Sequence, residues 1–155
     1  MSEKVNVGDK APEFELIKPD GSVFRLKDQL KDKNVVLYFY PKDNTPGCTK
    51  QACEFRDQYE VFKEQNAEVV GISSDSSESH EAFEHSHRLP FVLLSDSNNK
   101  VRNLFGVPRK FGIIPGRVTY VIDKNGIVRY IFNSMTKPLE HVKNALEVLK
   151  GIELQ

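Results

Sequence analysis

Cys48 and Cys53 are the residues of this chain whose type and spacing point most directly to chemistry, and they are its two cysteines. A chain of 155 residues can hold its fold with an ordinary hydrophobic core and needs no disulfide staple. Where thiols stay reduced, two cysteines more often indicate catalysis or metal binding than a structural bridge. The pair is therefore a candidate reactive site.

The residues before Cys48 favour the start of a helix. Thr45 suits the N-cap position and Pro46 suits the first helical position. A helix start offers unpaired backbone N–H groups and the positive end of the helix dipole. Both stabilise a thiolate, which is the nucleophilic form of cysteine, so Cys48 is the candidate nucleophile.

The five-residue spacing of the two cysteines limits how they can react. On an intact α-helix their side chains point about 140° apart and their Cα atoms lie roughly 8–9 Å apart. A disulfide needs a Cα separation below about 7 Å, so the pair bonds only if the first turn and a half of the helix unwinds. This spacing suits a disulfide made once per reaction cycle. Two unrelated helical cysteines are the alternative, and the spacing is not the Cys-x-x-Cys of thioredoxin-type dithiols.

The segment before the helix is typical of a buried central strand. Val35 to Tyr40 is continuously apolar, Pro41 ends it, and a loop runs from Lys42 to Gly47. The helix that follows keeps an apolar stripe through Phe62. The remaining patterns predict a hairpin over 13–26, a strand over 68–73, a helix over 77–87, a strand over 91–94, a helix over 98–105, a structureless loop over 106–116, a hairpin over 117–132 and a helix over 139–150 that Gly151 ends.

This order of elements predicts an α/β fold in a single domain over residues 1–155, with helices on both faces of a central mixed sheet and an N-terminal β-hairpin. Sites in such sheets gather at the carboxyl ends of the strands. The segment from Pro41 to Cys48 follows a strand and falls in that place.

The charge balance excludes several classes of partner. Lys and Arg total 22, Asp and Glu total 22, and the formal net charge is zero. A nucleic acid or an anionic membrane would favour a surplus of positive charge, so neither is expected. The longest apolar run is far shorter than the ~20 residues of a spanning helix, and the N-terminus lacks a signal-peptide pattern. We expect a cytoplasmic protein, or one in an organelle stroma if a transit peptide has been removed.

Three histidines lie on the predicted helix over 77–87. His80 and His87 share a face, which would allow a metal site, while His85 lies elsewhere on the same helix. No cysteine or suitably spaced carboxylate completes a ligand set. We interpret the three as a solvated helix surface and expect neither a metal nor another cofactor.

The run Pro41-Lys-Asp-Asn-Thr45-Pro-Gly-Cys48 resembles the Pro-x-x-x-Thr-x-x-Cys signature of the peroxiredoxins. The longer run from Tyr38 to Asp57 is similar to the peroxiredoxin Q subfamily, also called bacterioferritin comigratory protein, and the resemblance extends from Val7 to the closing helix. It implies a thioredoxin-like fold and thiol-dependent reduction of hydrogen peroxide and organic hydroperoxides in antioxidant defence.

The resemblance also implies roles for individual residues. Cys48 would be the peroxidatic cysteine and Cys53 the resolving one, joined in an intramolecular disulfide that a thioredoxin or similar dithiol reduces in a monomeric enzyme. Around them, the implied peroxide-binding residues are Thr45, Gly47 and Arg117, and Pro41 would shield the site from water. Gln51 stands where the wider family often has Glu, so its contact with Arg117 would be a neutral hydrogen bond.

Two other functions fit part of the pattern. A redox sensor would use the same cysteine pair to open the helix and expose apolar surface to a partner, but it would recycle slowly. A thiol–disulfide oxidoreductase acting on proteins is disfavoured because the Cys-x-x-Cys spacing is missing. Sustained peroxide consumption distinguishes a peroxidase from a sensor.

Overall fold

A five-stranded mixed sheet forms the centre of the molecule in a computed structural model that describes residues 4–110 and 114–153. In chain order the elements are β1 (Glu15–Ile17), β2 (Val23–Arg25), α1 (Leu26–Gln29), β3 (Asn34–Phe39), α2 (Pro46–Asp57), α3 (Tyr59–Glu64), β4 (Ala67–Ser73), α4 (Ser77–His87), β5 (Val92–Ser95), α5 (Lys100–Phe105), β6 (Arg109–Lys110), β7 (Ile114–Pro115), β8 (Val118–Ile122), β9 (Val128–Asn133) and α6 (Pro138–Glu153).

The central sheet has the strand order β5-β4-β3-β8-β9. Strands β3, β4 and β5 are parallel, whereas β8 runs antiparallel to β3 and β9 antiparallel to β8. Tyr38 in the middle strand pairs with Gly71 on one side and with Thr119 on the other. The predicted mixed sheet is confirmed, and its centre is the continuous apolar run that indicated a central strand.

Two hydrophobic layers cover the sheet, one on each face. Alternate residues of β3 enter opposite layers: Leu37 and Phe39 pack with the hairpin and α5, and Val36 and Tyr38 pack with α2, α3, α4 and α6. All six residues of β3 are buried. Helices on both faces and the separate β1–β2 hairpin therefore agree with the expected architecture.

The predicted helix through Phe62 is wrong in one respect, because it breaks at Gln58. The backbone of Gln58 has φ −99° and ψ 5°, outside the helical region, and α3 begins at the next residue. Phe55 and Phe62 still enter the same core. The apolar stripe continues across the break because both helices pack on the same face of the sheet, so periodicity alone could not reveal it.

Other predicted boundaries differ as well. The loop over 106–116 is not structureless, since Arg109 pairs with Pro115 and Lys110 with Ile114 in the small β6–β7 sheet; its residues 111–113 lie outside the described ones. Helix α6 continues past Gly151 to Glu153. A glycine inside a helix is only about 1 kcal/mol less favourable than alanine, so Gly151 does not end it. The second hairpin strand ends at Arg25, and the short helix α1 follows because Leu26 turns into the core.

Candidate active site

Cys48 lies at the carboxyl edge of the sheet, in the first turn of α2. It is the third residue of the helix, and only 1% of its surface is exposed. Strand β3 brings the chain to this edge, and the loop after Pro41 turns it back into α2. The predicted helix start at Pro46 is confirmed.

Thr45 occupies the N-cap position but does not cap the helix with its side chain. Its backbone is extended, with φ −92° and ψ 153°, as an N-cap residue requires. Its hydroxyl instead donates to the carbonyl of Lys42 at 2.8 Å. This hydrogen bond closes the loop before the helix, which corrects the expected capping role.

Arg117 contacts the sulfur atom of Cys48. One terminal guanidinium nitrogen, Nη2, donates to Cys48 Sγ at 3.3 Å, and the other, Nη1, donates to Gln51 Oε1 at 2.6 Å. Its Nε donates to the carbonyl of Met135 at 3.4 Å. The side chain is 4% exposed, so a fixed positive charge lies beside the thiol in a largely water-free place. The neutral contact expected between Gln51 and Arg117 is present.

Two glycines allow this close approach. A Cβ at Gly47 would lie 3.0 Å from Arg117 Nη2, and a Cβ at Gly116 would lie 2.3 Å from the carbonyl oxygen of Pro108. The half-buried Gly47 therefore leaves room for the guanidinium against the first turn of α2, and Gly116 lets the chain pass Pro108 immediately before Arg117.

A second buried arginine supports both halves of the site. Arg102 is 1% exposed; its Nη2 donates to the carbonyl of Tyr40 at 2.9 Å and its Nη1 to the carbonyl of Gly116 at 2.8 Å. Tyr40 directly precedes Pro41, which is half-buried, and Gly116 directly precedes Arg117. Burial lowers the pKa of Arg102 to about 10, so it stays protonated at neutral pH.

Sequence reasoning missed Arg102. Its signal is its place on α5, one residue after Val101 and three before Phe105, both of which are buried. A residue three positions from a core aromatic shares its helix face, so an arginine there faces the core and needs internal acceptors.

His80 is buried, which corrects its interpretation as a solvated surface residue. Its Nδ1 lies 2.8 Å from Asp43 Oδ2 and its Nε2 lies 3.1 Å from the carbonyl oxygen of Leu94. Tyr40 Oη donates to the other oxygen of Asp43 at 2.6 Å. Burial alone would raise the pKa of Asp43, but hydrogen bonds from His80, Tyr40 and Ser79 outweigh it and hold that pKa below its ordinary value. This network anchors the loop between Pro41 and Cys48.

Asp43, Asp75 and His80 also place one potential metal-ligand atom each within 4.8 Å of one another. Protein donors already use these oxygens. Asp75 Oδ2 accepts from the backbone N–H of Asp43 at 2.8 Å and from the hydroxyl of Ser73 at 2.7 Å. The group therefore works as a hydrogen-bond network that fixes the loop.

His141 braces the segment that accepts from Arg117. Its Nε2 donates to the carbonyl of Ser134 at 2.7 Å, and its Nδ1 accepts from the hydroxyl of Thr119 at 2.8 Å. Burial lowers the pKa of His141 to about 4, so the ring is neutral at pH 7. Ser134 precedes Met135, whose carbonyl receives Arg117 Nε.

Cys53 lies on the same unbroken helix as Cys48, and both are free thiols. It is half-buried, and its Sγ lies 3.8 Å from Nδ1 of His87 at the end of α4. The continuous helix keeps the two cysteines apart, as their spacing requires.

A thioredoxin-like sheet that carries one arginine-held cysteine at this helix start, with a second cysteine on the same helix, defines a thiol-dependent peroxidase. Comparison with known proteins agrees. The model of the AhpC/TSA family matches residues 7–131. The chain therefore belongs to the AhpC/TSA family and, within it, to the peroxiredoxin Q subfamily.

Individual relatives support this assignment. Chloroplastic peroxiredoxin Q of Sedum lineare is 53% identical over 151 residues, which cover 97% of this chain and 81% of that protein. The crystal structure of peroxidoxin BcpB from Mycobacterium tuberculosis superposes with a TM-score of 0.88 at 40% identity and covers 94% of this chain and 97% of that one. A bacterioferritin comigratory protein of Xanthomonas campestris, studied for alkyl peroxide reduction, gives a TM-score of 0.81 at 27% identity, covering 90% and 92%.

Within residues 4–110 and 114–153, no helix has the length and apolar character that crossing a membrane would require.

Proposed function

We propose that the protein reduces hydrogen peroxide and organic hydroperoxides with Cys48 as the peroxidatic cysteine. The observation that carries this proposal is the 3.3 Å contact between Arg117 Nη2 and Cys48 Sγ in a buried place. The thiolate attacks the terminal peroxide oxygen, the S–O bond forms and the O–O bond breaks. The departing alkoxide or hydroxide takes a proton from water, and Cys48 is left as a sulfenic acid.

Arg117 stabilises the charge as it moves from sulfur to the departing oxygen, because its guanidinium stays protonated and its Nη2 lies against the reacting sulfur. The Thr45 hydroxyl donates to Lys42, so its oxygen keeps a lone pair to accept the peroxide O–H. Helix α2 satisfies its own N–H groups only from Thr49 onward, which leaves the N–H of Gly47 for the substrate. Pro41 follows Tyr40, whose carbonyl Arg102 holds, and we infer that its apolar ring, which carries no N–H, shields the site from water.

We further propose that Cys53 resolves the sulfenic acid. Its thiol displaces the sulfenic oxygen as water and forms an intramolecular disulfide with Cys48. Because α2 is continuous from Pro46 to Asp57, this step requires the first part of the helix to unwind. A thioredoxin or a similar dithiol then reduces the disulfide by exchange, and the monomer returns to its starting form.

The relatives support the finer details of this proposal. The Xanthomonas campestris protein was studied for alkyl peroxide reduction, which favours organic hydroperoxides as substrates. The Sedum lineare relative is chloroplastic, which favours an organelle stroma over the cytoplasm as the place of action.

Peroxide consumption with NADPH, thioredoxin reductase and thioredoxin tests the proposal. Cys48→Ser should abolish consumption, and Cys53→Ser should permit one turnover and then stop. Mass mapping after one equivalent of peroxide should find Cys48 linked to Cys53 within one chain. A sulfenic acid trapped only at Cys53 would overturn the assignments, and oxidation without sustained consumption would favour the sensor.

A further inference from the structure

His87 is the only side chain with a hydrogen-bonding contact to Cys53 Sγ among the residues that the structure describes, at 3.8 Å through Nδ1. Both residues are partly buried. When the other ring nitrogen, Nε2, carries the proton, Nδ1 presents a lone pair to the thiol. A neutral imidazole in this position can accept the proton of Cys53.

The part of α2 that carries Cys53 is anchored to the end of α4. Arg56 Nη1 donates to the carbonyl of His87 at 2.8 Å. Phe55 is fully buried and stacks on Tyr38, with ring centroids 4.6 Å apart. The ring of His87 is itself held edge-on to Phe83 at 5.0 Å. Cys53 and His87 therefore sit in a fixed part of the molecule.

The first turn of α2 has weaker support. Pro46 and Lys50 are exposed, and Thr45 makes no side-chain cap. Among the described residues, its side-chain hydrogen bonds to the rest of the molecule are those of Cys48 and Gln51 with Arg117, and Cys48 also packs in the core. When the helix opens, we therefore expect Cys48 to travel towards Cys53, while Cys53 stays beside His87.

We propose that His87 is a catalytic residue of the resolving step, the proton acceptor for Cys53; this inference rests on the proposed function. As Cys53 Sγ attacks the sulfenic sulfur of Cys48, its S–H proton passes to Nδ1 of His87. The S–S bond forms, the S–O bond breaks, and the departing hydroxide takes a proton from the imidazolium and leaves as water. Cys53 is oxidised, the sulfenic sulfur is reduced, and the ring returns to its neutral form.

The charged neighbours fit this role. Arg56 on α2 interacts electrostatically with Cys53 and is paired with Asp57 through its Nε at 3.0 Å. The imidazole thus supplies proton acceptance, which the permanently charged guanidinium cannot provide.

Rapid-quench mass spectrometry of a single turnover tests the proposal, with dimedone to trap sulfenic acid and N-ethylmaleimide to block free thiols. In His87→Gln, sulfenic acid should form at the wild-type rate, while disulfide formation slows by about 10²-fold, the lower range for loss of a general base. Glutamine keeps a hydrogen-bond acceptor but cannot hold the proton. Exposed His85 on the same helix supplies the control His85→Gln, which should resolve at the wild-type rate.

Chemical rescue provides a second readout. In His87→Ala, added imidazole should restore disulfide formation in a concentration-dependent way and leave sulfenic acid formation unchanged. A disulfide rate in His87→Gln within threefold of wild type would overturn the proposal, as would equal slowing of both steps or failure of imidazole to rescue His87→Ala. If wild type makes no Cys48–Cys53 link, it is the proposed function that fails.

Discussion

Replacing Arg117 with methionine removes the positive charge that lies 3.3 Å from Cys48 Sγ. The methionine side chain is flexible and apolar and takes the place of the aliphatic stem of the arginine. The change also deletes the donors to Gln51 and to the carbonyl of Met135. If the proposed function is correct, the first chemical step should be affected more than any other property, because Arg117 contacts the reacting sulfur directly.

The expected size of this effect follows from the distance. Two unit charges 3.3 Å apart attract by about 5 kcal/mol at an effective dielectric of about 20. Desolvation of both groups offsets part of this attraction. Removing one donor to a developing charge in a buried site costs about 3–4 kcal/mol, or a factor of about 10²–10³ in rate. We expect Arg117→Met to slow sulfenic acid formation by a factor in that range.

The assay is the second-order rate constant of sulfenic acid formation, measured by quench and mass spectrometry at several peroxide concentrations. Arg117→Lys keeps a charge but not the three-point geometry, so its rate should fall between those of wild type and Arg117→Met. The exposed Arg109 supplies the control Arg109→Met, which should react normally. A rate for folded Arg117→Met within threefold of wild type would refute the reasoning.

Three further outcomes are expected. Arg102→Met leaves the carbonyls of Tyr40 and Gly116 without their donor and should lower the free energy of unfolding by about 2 kcal/mol or more, measured by urea denaturation; an unchanged midpoint would contradict this. Burial lowers the pKa of His141 to about 4, so the unfolded chain binds its proton first as the pH falls from 6.5; urea titrations should show about 3 kcal/mol lost between pH 6.5 and 4, and His141→Asn should remove that slope. Gly47→Ala places a Cβ 3.0 Å from Arg117 Nη2 and should reduce the rate constant of sulfenic acid formation about tenfold, with little change in stability. The control Gly151→Ala, whose Cβ meets nothing within 4 Å, should leave that rate constant unchanged.

Local patterns in the sequence were sufficient for much of the fold. The apolar run before Pro41 identified the central strand, and Thr45 with Pro46 identified the start of α2, because backbone restrictions and burial act over a few residues. The break at Gln58 was missed because both helices keep one apolar face on the same core. Periodicity reports the face that is buried and does not report where the helix axis changes.

The site was predictable only where a motif or a resemblance marked it. The contact of Arg117 with Cys48 joins residues 69 positions apart, and no local pattern specifies it. His80 was misjudged because its neighbours on α4 are polar, whereas its acceptors lie on a loop and a strand elsewhere in the chain. Arg102 was missed although Val101 and Phe105 mark its helix face as buried, because its acceptors are backbone carbonyls that the sequence does not display.

Arg102 holds the carbonyls of Tyr40 and Gly116, and in the proposed cycle these residues stay in place while the first turn of α2 moves. Two hydrogen bonds outside α2 position Arg117: Arg102 donates to the carbonyl of the preceding Gly116, and Arg117 Nε donates to the carbonyl of Met135. The first turn of α2 can therefore open and rewind while the guanidinium keeps its place. In the proposed cycle, Cys48 returns after each reduction to an arginine that has kept its position, so recovery requires only the refolding of a short helical segment.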